Sequence, residues 1–90
     1  MTREELQDAS EALRDAASEA TDGDAEERLY EQSKQLADLA AAEHGPDHGR
    51  LARHENALHD LIDATEGSTK AKVESALESV QAYREGVPGV

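Results

Sequence analysis

The chain has 90 residues, of which 21 are Asp or Glu and 9 are Lys or Arg, so its formal net charge at pH 7 is -12. This length suffices for one small domain over residues 1–90, and it is too short for two domains that each bury a core. The charge excludes free nucleic acid and anionic membrane surfaces as partners, because binding to both depends on cationic side chains that neutralise phosphate.

Cysteine is absent, which excludes disulfides, thiolate metal ligands and thiol nucleophiles. Residues 1–5 lack a basic region followed by an apolar run. No apolar stretch approaches the ~20 residues that a membrane-spanning helix needs. We therefore expect a cytoplasmic protein without a membrane partner.

Composition alone is typical of a disordered chain, because Leu, Ile and Val number only 14, Phe is absent and the net charge is high. The order of the residues points the other way. Sixteen alanines and the aliphatic residues recur at intervals of three and four, as in amphipathic helices. No segment alternates apolar and polar residues, so the sequence predicts an all-α fold.

Molar salt reconciles this acidity with a packed fold. At about 1 M ionic strength the screening length falls to roughly 3 Å, so the self-repulsion of the chain largely disappears. Arg outnumbers Lys six to three, and alanine is commoner than the larger aliphatic residues. These traits favour a protein of a salt-adapted cell over an ordinary acidic protein.

The first predicted helix covers about residues 2–20. Thr2 and Glu5 have the spacing of a capping box. An apolar stripe follows at steps of three and four: Leu6, Ala9, Leu13, Ala16, Ala17 and Ala20.

A turn and a second helix, about residues 24–43, come next. Asp22 or Asp24 can cap this helix. The Gly45-Pro46 pair ends it. Its apolar face consists of Leu29, Ser33, Leu36, Leu39 and Ala40.

The third and fourth predicted helices cover about residues 47–65 and 69–85. Asp47 caps the third, Gly67 is expected as its C-terminal residue, and Ser68 or Thr69 caps the fourth. Because the apolar phase continues through Gly67, one continuous helix is the alternative. Gly86 and Pro88 stop the last helix.

The predicted architecture is an antiparallel bundle of three to four helices. Its core is thin, so association with a second copy would bury more apolar surface, and we expect a homodimer. The predicted large core residues are Leu6, Leu13, Leu29, Leu36, Leu39, Leu51, Leu58, Leu61, Ile62, Val73, Leu77 and Val80.

Four histidines, His44, His48, His54 and His59, fall within sixteen residues, with Asp47, Glu55 and Asp60 among them. Imidazole and carboxylate groups bind transition metals. The spacing matches neither HExxH nor the Glu-x-x-His pairs of di-iron bundles. We therefore expect solvated or packed histidines and no metal ligand, with transition-metal binding or sensing as the alternative function.

No nucleophile elbow, Ser-x-x-Lys motif, Gly-rich phosphate loop or EF-hand loop is present. We predict no enzyme activity, no catalytic residue and no cofactor. Acid pairs such as Glu4-Glu5 and Glu26-Glu27 are expected to form a hydrated surface. The only aromatic residues, Tyr30 and Tyr83, are expected at the edge of the core, with a dimer contact at either one as the alternative.

Charge is uneven along the chain: residues 1–45 hold 13 acids and 4 bases, whereas residues 46–90 hold 8 acids and 5 bases. The acidic first half suggests a third hypothesis, a surface that attracts a basic protein. Screening in molar salt ranks this hypothesis below self-association.

The helix stripes, the Thr21-Asp22-Gly23-Asp24 and Gly45-Pro46 breaks and the acid excess make the whole chain resemble small acidic helical proteins of haloarchaea. The resemblance implies a compact helical fold, and it brings neither an activity nor functional residues. We predict a halophilic, non-enzymatic structural or protein-interaction module that self-associates.

Overall fold

The computed structural model describes residues 3–42 and 47–87. These residues form four helices and no strand: α1 (Glu4–Glu19), α2 (Gly23–Ala41), α3 (His48–Ala64) and α4 (Gly67–Glu85). The predicted all-α bundle is confirmed, and each predicted boundary lies within two residues of the observed one. None of these helices combines the length and apolarity required to cross a membrane.

The helix α1 packs along both α2 and α4, and α3 packs along α4. The contact between α2 and α3 is sparse, so one of the four seams around the bundle is loosely closed. The principal dimensions are 38 × 20 × 17 Å. This arrangement makes α1 the best-packed helix and leaves the α2–α3 seam as the most open one.

The predicted apolar stripes form the core. Eleven of the twelve predicted large aliphatic residues are buried, whereas Ile62 is only partly buried and packs against the others. Two small buried residues, Ser10 of α1 and Ser33 of α2, lie where these helices meet. The Ser10 hydroxyl donates to the Ser33 carbonyl oxygen at 2.7 Å. The core therefore follows directly from the helical spacing of apolar residues.

Aspartate side chains begin two of the helices. Asp22 Oδ2 accepts a hydrogen bond from the Ala25 N–H at 3.1 Å, and Asp47 Oδ1 accepts one from the Arg50 N–H at 2.8 Å. Both predicted caps are confirmed, because a short acidic side chain satisfies N–H groups that lack an intrahelical partner. The helix α1 has Arg3 at its N-cap position without a side-chain cap. Thr2, Gly45, Pro46 and Pro88 lie outside the described residues.

The chain breaks between α3 and α4, which excludes one continuous helix through Gly67. Gly67 has a φ of 65°, which residues with a Cβ rarely adopt, and it is the first residue of α4 rather than the end of α3. The predicted caps were wrong: Glu66 holds the N-cap position, and α4 begins two residues before Thr69. The Ser68 hydroxyl instead donates to Glu19 Oε1 at 2.6 Å.

Polar contacts tie α1 to its neighbours at both ends. Arg3 Nη1 donates to the carbonyl oxygens of Leu39, Ala40 and Ala42 at 3.3, 3.3 and 2.6 Å. Carbonyls at a helix C-terminus lack intrahelical partners, and a cation there complements the helix dipole. At the other end, Glu19 forms an ion pair with Lys72. Both contacts require that α1 runs antiparallel to α2 and to α4.

Candidate functional site

Polar side chains line a cavity of about 390 Å³ in the loosely closed seam between α2 and α3. We call it the α2–α3 cleft. Its lining residues are Gln32 and Gln35 of α2 and Arg50, Arg53 and His54 of α3. Among the residues that the structure describes, the cleft is therefore lined by amides and basic groups and by no carboxylate.

The apolar stripe of α3 positions His54. It lies three residues after Leu51 and four before Leu58, on the face that packs toward the core, and is only 7% exposed. His54 Nδ1 lies 2.8 Å from Gln32 Oε1. Because an amide oxygen only accepts hydrogen bonds, the neutral ring carries its proton on Nδ1. This bond is a direct polar link between α3 and α2.

Arg50 and Arg53 precede His54 by four residues and one residue, within the first two turns of α3, and both are exposed. Neither guanidinium forms an ion pair with a residue in 3–42 or 47–87. The positive end of the α3 dipole adds to their charge. The cleft is thus a positive region on a chain in which acids outnumber bases by 21 to 9.

Burial lowers the pKa of His54 from its ordinary value of 6.5, and repulsion from Arg50 lowers it further. The charged groups that line the cleft with His54 are Arg50 and Arg53, while α2 presents the neutral Gln32 and Gln35. As the pH falls below 6.5, the unfolded chain binds this proton before the folded chain does. The contribution of neutral His54 to stability is therefore complete above that pH and is lost below it.

We expect the melting temperature to fall between about pH 7 and pH 5.5, with a smaller fall in a His54→Gln variant. Glutamine keeps a hydrogen-bonding group near Gln32 but cannot titrate. Thermal unfolding followed by circular dichroism at high salt measures both slopes, and His59→Gln at an exposed position is the matched control. Identical slopes in the unmodified and His54→Gln proteins would contradict this role.

The described histidines His48 and His59 form no metal-binding cluster with His54. His48 Nδ1 accepts a hydrogen bond from Arg84 Nε at 3.2 Å, and Arg84 Nη1 donates to Glu55 Oε2 at 2.8 Å. This cluster joins the start of α3 to the end of α4, while His59 is exposed. Within the described ranges, no three His, Asp or Glu side chains converge as a metal site requires. His44 lies outside these ranges.

A family model matches residues 1–86, and it describes a family of unknown function, DUF7553. The chain belongs to this family. No curated protein and no solved structure gives a significant match. The family match spans all four helices and the cleft, and its description assigns no activity to their residues.

A second feature of this DUF7553 member is a shallow groove of about 500 Å³ between α1 and α2. Tyr30 lines it and is 50% exposed, with the Lys34 ammonium 5.7 Å from the ring centroid. The prediction that both tyrosines lie at the core edge is confirmed for Tyr83 and wrong for Tyr30. We call this surface the Tyr30 groove; its other lining residues are Arg14, Ala17, Ser18, Gly23, Glu26 and Glu27.

Acidic side chains concentrate on α1 and α2. The helix α1 carries six acids and one base, and α2 carries five acids and two bases. By contrast, α3 carries three acids and two bases, and α4 carries three of each. The acid pairs Glu4-Glu5 and Glu26-Glu27 are exposed to solvent, as expected.

Sequence reasoning missed four of the five residues that line the α2–α3 cleft: Gln32, Gln35, Arg50 and Arg53. One signal was present, because residues 48–54 contain two arginines and two histidines and no acid. A second signal was the position of His54 on the apolar stripe. Neither signal identifies which part of α2 faces these residues.

Proposed function

We propose that this DUF7553 member is a non-enzymatic interaction module that associates with a second copy of itself in the cytoplasm of a salt-adapted cell. The observation that carries the proposal is the half-exposed Tyr30 in its groove. Tyrosine is enriched at protein interfaces, where its ring excludes water and its hydroxyl stays hydrated.

The charges beside Tyr30 favour a second copy as the partner. Arg14 of α1 and Glu26 and Glu27 of α2 line the same groove. In a two-fold dimer the same patch meets itself, so Arg14 of one copy can approach the acidic pair of the other. Opposite charges within one patch thereby provide complementarity without a different partner.

The acid excess of α1 and α2 supports the salt dependence of this association. In dilute buffer the two acidic faces would repel each other across the dimer. At about 1 M salt the screening length of roughly 3 Å removes most of this repulsion and leaves contact at Tyr30 favourable. The same screening weakens attraction of a distant basic protein, so self-association ranks above that hypothesis.

Analytical ultracentrifugation in about 3 M KCl tests the proposal over a concentration series. We expect a monomer–dimer equilibrium that shifts toward monomer in dilute salt. Tyr30→Ser should weaken the dimer at least about tenfold, because exposed aromatic residues dominate interface energies. Gln81→Ala, an exposed change on α4, is the matched control.

Circular dichroism establishes that both variants remain helical. A protein that stays monomeric at every concentration in high salt would overturn the proposal. Unchanged dimerisation in Tyr30→Ser would remove the Tyr30 groove as the interface.

A further inference from the structure

The α2–α3 cleft is rich in hydrogen-bond donors that converge from two helices. Arg50 and Arg53 each present a planar fork of N–H groups, and Gln32 and Gln35 add side-chain amides from the opposite wall. One N–H of the Gln35 amide already donates to Glu31 Oε1 at 3.4 Å, which leaves its second N–H for a ligand. Because the proton of His54 is on Nδ1, its Nε2 has a lone pair and adds no donor to the cleft. Because no described residue of the lining is a carboxylate, the cleft is suitable for an anion.

This lining differs from that of three other cavities formed by residues 3–42 and 47–87. Glu19 and Glu66 line the cavity at one end of the bundle, Glu55 and Glu85 line the cavity beside Arg84, and the Tyr30 groove contains two glutamates. A carboxylate within reach would neutralise either arginine of the cleft. Two cations without such a partner therefore leave a local excess of positive charge.

The size of the cleft fits a small ligand. Its volume of about 390 Å³ lies within the usual range of small-molecule pockets. At about 30 Å³ per water, it has room for roughly a dozen water molecules, more than a single oxyanion occupies. An oxyanion with a small organic substituent can thus enter.

Charge and geometry favour a tetrahedral oxyanion such as phosphate over a carboxylate or chloride. A phosphate group carries close to two negative charges and several acceptor oxygens, which two guanidinium forks can bind in bidentate fashion. A single carboxylate has two oxygens, which one fork satisfies, so it leaves the other arginine unpaired. Chloride offers no fixed acceptor directions that match a planar fork.

From this arrangement we propose that the α2–α3 cleft binds phosphate or a small phosphate monoester through Arg50 and Arg53, with the side-chain amides of Gln32 and Gln35 completing the site. The bound anion joins α3 to α2 across the loosest seam of the bundle. Binding is therefore expected to stabilise the fold. The proposal concerns a different surface from the Tyr30 groove and does not depend on self-association.

Thermal unfolding and titration calorimetry in a constant high concentration of KCl test this site. We use inorganic phosphate, methyl phosphate and acetate as probes, each with KCl reduced to keep the ionic strength unchanged. At about ten times its dissociation constant, phosphate or methyl phosphate should raise the melting temperature by roughly 6–11 °C. Acetate should raise it little.

The variants Arg50→Gln and Arg53→Gln should each weaken phosphate binding at least about tenfold, as expected when one bidentate charge-assisted pair is lost. Their combination should abolish binding. Arg28→Gln, at an exposed arginine of α2 that lines none of these cavities, is the matched control and should bind normally. Tyr30→Ser should also bind normally, which separates this site from the dimer interface.

If methyl phosphate binds more tightly than inorganic phosphate, the ligand is a phosphate ester. If methyl phosphate binds as tightly as inorganic phosphate or more weakly, the ligand is the free ion. Either result supports the site if the arginine variants lose it. No stabilisation by either phosphate probe would overturn the proposal. The proposal would also be overturned if acetate raised the melting temperature as much as phosphate, or if the double arginine variant bound phosphate as tightly as the unmodified protein.

Discussion

Replacement of Leu13 by alanine is expected to lower the free energy of unfolding by about 2–5 kcal/mol. Leu13 is fully buried in α1, the helix that packs against both α2 and α4. Its truncation removes apolar contacts and leaves a cavity that neighbouring side chains fill only partly. A domain of this size has a total stability on the order of 5–13 kcal/mol, so the variant loses a large part of it.

Urea unfolding at high salt, followed by circular dichroism, measures this loss. Ile62→Ala is the control, because Ile62 is only partly buried at the margin of the same core. We expect its effect to be less than half that of Leu13→Ala. Equal losses in the two variants would contradict the assignment of α1 as the centre of packing.

Neutralisation of acids on α1 is expected to stabilise the protein in dilute buffer and to change little in molar salt. Asp8, Glu11 and Asp15 are exposed and lie three and four residues apart, so they repel one another along one side of the helix. The variant Asp8→Asn, Glu11→Gln, Asp15→Asn should gain about 1–2 kcal/mol at low ionic strength. Screening should reduce this gain in unfolding free energy to a few tenths of a kcal/mol at about 3 M KCl.

Urea unfolding at both salt concentrations checks this difference. The control is Glu74→Gln, Glu78→Gln on α4, whose three acids are balanced by three bases, including Lys70 one turn before Glu74. We expect the control to gain much less. If the triple variant of α1 is stabilised as much in high salt as in dilute buffer, charge repulsion is not the cause of the stabilisation.

The helices, two of their caps and the core follow from local chemistry. The apolar residues recur at helical spacing, which fixes the buried face of each helix before any tertiary contact is known. Asp22 and Asp47 cap their helices through backbone groups three residues away, so the sequence predicts Asp47 and limits the other cap to Asp22 or Asp24. The break at Gly67 was predicted, but its geometry was not, because a positive φ at the first residue of α4 replaced the expected side-chain cap.

The cleft depends on which helices become neighbours, and local patterns do not contain that information. His54 and Gln32 are 22 residues apart, and Arg84 reaches His48 over 36 residues. Arg3 binds carbonyl groups at the far end of α2 for the same reason. Helix periodicity predicts that these residues lie on certain faces, whereas the packing of α1 between α2 and α4 determines which groups meet.

The most direct test of the salt-adapted fold is a KCl series from about 0.1 to 3 M, with helix content and thermal unfolding measured by circular dichroism. We predict a melting temperature that rises steeply with KCl and a loss of helix in the most dilute buffer, because the screening length falls from about 10 Å to below 3 Å across this range. A chain that is fully helical in dilute buffer, with the same melting temperature as in 3 M KCl, would contradict this prediction.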